Sequence, residues 1–566
     1  MGSIIKKKIK SNIYYYYVES KRINGKPKYV NQKYLGSAET LLNKLAYMDT
    51  SLQERVLHSE VSEFGSVLLL YDIASRLNIL QIIDDIVFKR KQGVSPGEYI
   101  LTAAINRAVA PSSTNGLQAW YSSTCLPSVT GIRSNSFTPQ NFWNNTCIPE
   151  ASIDAMEDAI LRKIVATYNI DTTHIIYDAT NFFTYIDTMQ KCETAKRGHS
   201  KEKRNDLRII GLSLMISADC SVPLLHETYP GNRPDAKQFH VMMEKLKNRY
   251  ESITGQKSDV TVVFDRGNNS EDNINFLEDS DFPVHYVGGL RKNQAEELFQ
   301  VPLDEYVPLC TKALKGQSAY RKEIEAYGRN VTAVIVHNPE LEKGQLQGIQ
   351  INREKITKKL LDLQQKLMHR ANGKIVKGKA PVTESVIKKV EDILKLEYMK
   401  DIFQYEVIES NGYIYLTFAS SDDSLEKLRK RELGKKVLFT DRTDFTNEDI
   451  VSAYRSAWHV ESVFKQMKNT DHLSVRPVFH WTDEKIRVHI FICVLAYRLC
   501  CLLHKELEDL GINMSINRLL DELSCIKRVD TFFGDISKPE KVRSFTIGSE
   551  MAEQIEKIYQ LKKKYS

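Results

Sequence analysis

Two short apolar runs that each end in an aspartate constrain this chain more than any other feature. His174-Ile-Ile-Tyr-Asp178 and Asp259 to Asp265 both read as buried strands that stop at an acid and then turn, into Ala-Thr-Asn and Arg-Gly-Asn-Asn. Between them, Phe182 to Ile186 is β-prone, and Arg208 to Ala218 and Val222 to Tyr229 read as two further strands, ended by Pro230-Gly-Asn-Arg-Pro234. Asp235 to Ile253 reads as a helix, Ser270 to Leu277 as a short one, and Phe282 to Val287 as a fifth strand. Three leading strands without helices predict an antiparallel meander, and the later alternation predicts parallel pairing. The fold class expected is α/β with a mixed sheet.

The flanking sequence divides the chain further. Residues 1–60 hold a Tyr-rich hairpin over 12–36 with a turn at Asn24-Gly25, the strongest short hairpin signal. Residues 61–170 read as helical, with apolar residues at helical spacing from Val67 to Phe88 and a helix start at Ser95-Pro96-Gly97-Glu98. Residues 171–290 carry the strand pattern above. Residues 291–440 interrupt it with a β-prone piece at Asn330 to His337, a charged helix near Leu341 to Arg370, a Gly/Lys/Pro patch at Gly373 to Pro381 and two strand-like pieces at Phe403 to Ile408 and Tyr413 to Phe418. We read this stretch as an insertion domain. The core resumes with Lys436-Val-Leu-Phe-Thr-Asp441 and a helix from Asn447 to Asn469 within 441–505, and 506–566 is expected to be a helical tail.

Bulk properties exclude several classes. A chain of 566 residues exceeds one ordinary core. With 42% hydrophobic and 27% charged residues it is globular rather than disordered. A net charge of +7 fits a nucleic-acid partner without requiring one. Nine cysteines without a Cys-x-x-Cys pair, and no His-x-x-x-His, argue for a reducing compartment and against structural zinc. Ile490 to Leu503 is broken by Arg498 and too short to span a bilayer, so no membrane partner and a cytoplasmic location are expected.

The acids point to metal-assisted chemistry. Phosphodiester cleavage needs an activated oxygen nucleophile and a counter-charge for the leaving oxygen, which two divalent ions about 3.5–4 Å apart supply. Such ions take hard oxygen ligands. Asp178 and Asp265 would converge if their strands are neighbours. An Asp closing a strand is more often a turn cap, so neither is decisive alone. On the helix Ala453 to Lys468, Tyr454, Glu461 and Lys468 are spaced seven apart and drift only about 20° per heptad, forming one stripe. A solvated face with an ion pair explains that stripe equally well.

Taken together, these residues resemble the prokaryotic insertion-sequence transposases that carry a DDE triad and a Tyr-x2-Arg-x3-Glu-x6-Lys signature. The similarity extends to the Tyr-rich hairpin, Gly198-His-Ser-Lys201, Pro230-Gly-Asn232 and Arg476-Pro-Val-Phe-His-Trp481, over roughly residues 12–505. The resemblance implies a ribonuclease-H-like fold interrupted by an insertion, which agrees with the strand order, and a DNA-binding helical N-terminal region. It implies Asp178, Asp265 and Glu461 as catalytic metal ligands for two Mg²⁺ ions, with Mn²⁺ able to substitute. Tyr454, Lys465, Lys468, Arg476 and Trp481 become DNA contacts, and the partners become inverted-repeat ends and target DNA gripped by a homodimer. One position departs: the signature Arg is Ala457, while Arg455 points away and Lys465 lies one turn after Glu461.

Other features stay open. Lys191 to Arg208 holds seven basic against three acidic residues and reads equally as a phosphate-contacting flap or a solvated loop. Trp481 could stack on a base or pack in the core. Lys6 to Lys8 and Lys562 to Lys564 read as solvated tails. Rival readings are a nuclease without strand transfer, a transposase-derived DNA-binding protein that has lost catalysis, and a two-carboxylate glycosidase. Retention of all three acids disfavours the second, and the lack of sugar-stacking aromatics beside them disfavours the third.

Overall fold

The computed structural model describes residues 2–564 apart from 10–11, 24–25, 54–55, 89–92, 188, 199–203, 205, 256–258, 279–281, 283, 375–379 and 536–537. The chain forms two compact units. One comprises Met1–Asp72, Thr114–Asn141 and Ile512–Ser566, the other Ile73–Ser113 and Phe142–Gly511.

After a short helix at Ile79–Ile86, the larger unit has helices α1 (Pro96–Val109) and α2 (Glu150–Tyr168). Ser95 caps α1 by accepting a hydrogen bond from the Glu98 amide, with Pro96 at the first helical position, as the sequence predicts. Next come strands β1 (His174–Thr184), β2 (Arg208–Ser217) and β3 (Pro223–Pro230), helix α3 (Asp235–Thr254), strand β4 (Thr261–Phe264), helix α4 (Glu271–Glu278) and strand β5 (His285–Gly289). Strands β6 (Val307–Pro308), β7 (Ser318–Ala326) and β8 (Arg329–His337) follow. Helices α5 (Pro339–Ala371) and α6 (Thr383–Ile393), the hairpin β9 (Phe403–Ser410) and β10 (Tyr413–Ser420), and helix α7 (Asp422–Arg431) come next. The unit closes with β11 (Lys435–Thr440), α8 (Asn447–Ser456), α9 (Trp458–Met467) and α10 (Asp483–Asp509).

Nine of these strands make one mixed sheet, in the order β6-β7-β8-β11-β5-β4-β1-β2-β3. β1, β2 and β3 form an antiparallel meander. β4 lies parallel to both β1 and β5. This is the meander-then-parallel order expected from the sequence. The apolar strands explain it: β4 is buried at every position and β2 at all but its first residue, so both faces of the sheet are covered. His174 to Asp178 and the β-prone piece from Phe182, which the sequence separates, form one continuous strand that ends at Thr184.

Three expectations are revised. Residues 291–440 are not a single insertion, because β6, β7, β8 and β11 extend the sheet beyond β5. The reason lies in Val331 to Val336, six consecutive buried residues with no polar face, which suit a sheet interior. Within that stretch a second core does form, from Ile349, Ile356, Leu360 and Leu367 on α5, Val386 and Val390 on α6, and Ile414 and Leu416 on β10. The apolar segment at Ile490 to Leu503 belongs to the 27-residue α10, long and apolar enough to cross a membrane, yet 94% of its apolar window is buried in protein. Residues 506–566 are not simply helical, since Ile526–Asp535 and Lys538–Ile547 form a long hairpin.

In the smaller unit that hairpin pairs with Val56–Glu63. A separate sheet is made by Gly2–Ile9, Asn12–Ile23 and Lys26–Gly36, against which helix Ala38–Gln53 packs. The Asn24-Gly25 turn expected there lies outside the described residues. Residues 61–170 are mostly helical but are shared between the two units.

Candidate active site

Asp178 and Asp265 sit side by side. The parallel register pairs Tyr177 with Phe264, so the next residue on each strand is one of the two aspartates. Parallel neighbours in register point to the same face, so the carboxylates lie on one side of the sheet, where β4 ends beside the middle of β1. Asp178 does not end its strand as expected, because the apolar run resumes at Phe182 and pairing continues to Thr184. Asp178 is half-buried, and its Oδ1 accepts a hydrogen bond from the Ala179 amide at 2.7 Å. Asp265 is exposed, closes β4 and accepts from the Arg266 amide at 2.9 Å.

The helix expected over 447–469 is two helices, with Ala457 closing α8 and opening α9. The pair still spans both aspartates. On α8 the Tyr454 hydroxyl donates to Asp265 Oδ1 at 3.3 Å. Burial first, and then the Asp265 and Glu461 charges, push that hydroxyl far above the usual phenol range. The Lys436 ammonium lies 5.2 Å from the centre of its ring. Gly289 leaves the space Tyr454 needs: a Cβ there would stand 2.8 Å from the hydroxyl oxygen. At the far end, Lys468 Nζ donates to Thr180 Oγ1 at 2.8 Å and lies 5.6 Å from the centre of the Phe182 ring. Thr180 and Phe182 share the Asp178 face of β1, because side chains alternate along a strand.

Glu461 lies between these anchors, exposed on the first turn of α9 and, among the described residues, without a hydrogen-bond or ion-pair partner. Its field reaches Tyr454. Among the described residues no set of three or more Asp, Glu, His or Cys side chains is arranged to hold a metal ion. The register brings the two aspartates together, while Glu461 stands exposed on the helix pair as a third carboxylate that is not gathered with them.

The other sequence-derived residues divide. Lys465 is exposed on the same helix as Glu461. Arg455 donates to the Ala313 carbonyl at 2.6 Å and is committed away from the site. Arg476 lies over the Phe183 ring at 5.1 Å, and the run that follows it pairs with the end of β1, Tyr185 donating to the Val478 carbonyl at 3.0 Å. Trp481 stacks on Trp143 with ring centres 4.6 Å apart, and remains 47% exposed. It is neither core nor free. Residues 199–201 of the Gly198 motif, with 202, 203 and 205 of the Lys191 to Arg208 stretch, lie outside the described residues. Gly198 itself abuts the Gly231 backbone, so two motifs that are distant in sequence meet.

In sequence, Pro230 to Pro234 reads as a turn that carries part of the family resemblance, without an assigned role. In the structure Gly231, Asn232, Arg233 and Pro234 wall a cavity of about 330 Å³ together with Thr180 and Asn181, just past Asp178. The compact Pro-Gly-Asn-Arg-Pro punctuation is the available signal, because a turn rich in fixed or permissive backbone is a common frame for polar sites.

Residues 170–499 match the family described as Transposase DDE domain, and the chain belongs to that family. Among solved structures the chain is similar to a piggyBac transposase synaptic complex with hairpin DNA, at 10% identity, over 83% of this chain and 82% of that one, with a TM-score of 0.37. It is also similar to a Mos1 transposase paired-end complex with left transposon end, at 11% identity, over 35% and 60%, with a TM-score of 0.14. No curated protein matches it.

Proposed function

We propose that this DDE transposase binds the ends of its own insertion sequence, hydrolyses the strand there and joins the freed 3′-hydroxyl to target DNA, with Asp178, Asp265 and Glu461 as its catalytic acids. The observation that carries the reading is the register of β1 and β4, which sets Asp178 beside Asp265 under a helix pair anchored to Asp265 by Tyr454 and to the Asp178 face by Lys468. A carboxylate in mid-strand, one just past the end of its neighbour and an uncommitted third would supply hard-oxygen donors that suit Mg²⁺ or Mn²⁺. Divalent ions held there would polarise the scissile phosphate and lower the pKa of the attacking water or hydroxyl.

The chain's own residues do the rest. Tyr454 fixes the orientation of the Asp265 carboxylate. Lys468, Lys465 and Arg476 supply positive charge for the phosphates flanking the scissile bond. The sheet and helix pair constitute a ribonuclease-H-like core of the prokaryotic insertion-sequence type, with the Tyr-Arg-Glu-Lys signature altered at Ala457 and residues 339–433 inserted before the glutamate helix. Two chains act together, because two DNA ends must be joined.

The test is cleavage and strand transfer on a plasmid carrying the flanking inverted repeats, in Mg²⁺. Asp178→Asn, Asp265→Asn and Glu461→Gln should each lower both steps by on the order of 10³-fold or more, since several kcal/mol of transition-state stabilisation is lost. Binding to the same ends should persist. Wild-type rates in any one variant, or cleavage undiminished in chelator, would remove that residue or the metal from the reading.

A further inference from the structure

The net excess of positive charge in this protein falls in one small sheet. Residues 1–36 contain eight Lys and one Arg against the single acid Glu19, a balance of +8, while the whole chain carries +7. The remaining 530 residues are therefore close to neutral, at −1. Lys6 to Lys8, expected to be a solvated tail, lie within a strand, Gly2–Ile9, paired to Asn12–Ile23.

The strand registers sort these cations onto faces. Lys6 pairs with Tyr15 and Lys8 with Ile13, Tyr17 pairs with Lys33, Lys21 with Lys28 and Ile23 with Lys26. Directly paired residues share a face, and along Asn12–Ile23 the odd-numbered positions share one face. Lys6, Lys8, Lys21, Lys26, Lys28 and Lys33 therefore stand on one side of the sheet, and all six are exposed. Val18, fully buried, belongs to the other side. Among the described residues none of the six is in an ion pair. Glu19, the one acid on their side, accepts a hydrogen bond from the Tyr17 hydroxyl at 3.1 Å.

This arrangement costs stability unless something anionic covers it. Lys21 directly opposite Lys28 is a like-charge cross-strand pair, which is destabilising. A lone three-stranded sheet gains nothing from gathering six lysines on one face. A polyanion whose charges are spaced along a surface relieves that repulsion and releases its own counterions on binding. The tyrosines between the lysines, Tyr15 and Tyr17, add half-buried aromatic surface with hydroxyl tips.

We propose that this lysine face is a duplex-DNA-binding surface that acts through phosphate contacts, separate from the acids of the catalytic sheet. The choice of DNA among polyanions rests on the transposase function proposed for the chain. The test needs no cleavage, so its failure leaves the catalytic assignment standing. Binding of the full chain to a random-sequence duplex is measured in chelator between about 50 and 200 mM salt. In the variant Lys6→Gln, Lys8→Gln, Lys28→Gln, Lys33→Gln, the slope of log affinity against log salt should become shallower by about 3 to 4, at roughly 0.9 for each phosphate that is no longer neutralised. Affinity should fall more than tenfold. The same four positions changed to Arg should retain slope and affinity, which separates lost charge from lost fold. An unchanged slope in the Gln variant, equal loss in the Arg variant, or tighter lysine-dependent binding to anionic lipid vesicles than to duplex DNA would each overturn the proposal.

Discussion

Glu157 is a carboxylate with no exposure to water, held on α2 by three basic side chains. His226 Nδ1 lies 2.5 Å away, Arg498 Nη2 donates at 2.5 Å and Arg249 Nη2 at 3.1 Å. Burial alone would push the Glu157 carboxyl up. His226, Arg498 and Arg249 outweigh it and hold the group well below the usual range. Removing the acid leaves Arg498, itself fully buried, without its counter-charge. Glu157→Ala should therefore lower the unfolding free energy by about 3–5 kcal/mol in denaturant titration. The double replacement Glu157→Leu with Arg498→Met should cost much less than the single, because buried pairs often exchange for apolar groups at little net loss. A double variant as unstable as the single would mean that packing, not charge, sets the penalty. None of this is legible in the sequence, where Asp154 to Arg162 looks like any charged helix and nothing marks which acid turns inward. Asp178 and Asp265 are legible for the opposite reason: an acid that ends an apolar run breaks the local pattern. The reach of Tyr454 to Asp265 needs the fold, because it depends on the absence of a side chain at Gly289.

Elements are readable where the apolar period is clean and obscure where charge does the work of burial. The meander and the β4–β5 alternation follow from runs such as Val260 to Phe264, buried throughout. The hairpin at Ile526–Ile547 escapes the sequence pattern because its strands are laced with charge. Asp530, only 3% exposed, is clasped by Arg543 at 2.9 Å, Lys541 at 2.7 Å and Arg528 at 3.5 Å from neighbouring positions. A search for alternating apolar residues passes over such a strand. The break at Ala457 carries no Gly or Pro to announce it. The insertion is visible in the sequence but its edge falls too early there, because β7 and β8 lie just before the charged α5 and group with it. The observed boundary carries a prediction. The cluster around Ile356 and Leu360 is its own core, between Asn338 and Leu433. Leu360→Ala should cost about 2–5 kcal/mol of local stability. By hydrogen exchange, amides of α5, α6 and β9–β10 should lose protection, while those of β1, β4 and β5 keep theirs. Equal loss in the central strands would show that the insertion and the sheet unfold as one body.

At the scale of the whole molecule, buried titrating groups set how the protein responds to acid, and nearly all act in one direction. His480 is pushed down to about 4, by burial first and then by Arg107 and Lys485. His489, fully buried with Nε2 donating to the Val475 carbonyl at 2.8 Å, is held well below its usual range by burial, Arg107 and His480. In the unfolded chain both would take up protons near pH 6.5. A depressed folded-state value means stability that is present above the unfolded pKa and lost as pH falls toward the folded one. The histidine window therefore runs from about pH 6.5 down to about 4. Below it the carboxylates continue the trend, since Glu157 is held low and Asp483 is lowered to about 2, burial being outweighed by hydrogen bonds from Thr194, Glu193 and Cys192. His174 works in the opposite sense. Its hydrogen bond to Asp171 raises it, so its contribution is full at low pH and lost as pH rises through the raised value. One half-exposed pair is outweighed by the partly buried His480 and the buried His489 together, because each proton taken up only by the unfolded state is worth at most about 1.4 kcal/mol per pH unit. The melting temperature should fall steadily from pH 7 to pH 5, before any carboxylate titrates. His489→Gln, which keeps a donor for Val475, should flatten that fall while leaving the loss below pH 4 in place. A melting temperature that is level between pH 7 and 5 in the parent chain would show that these histidines are already charged in the folded state.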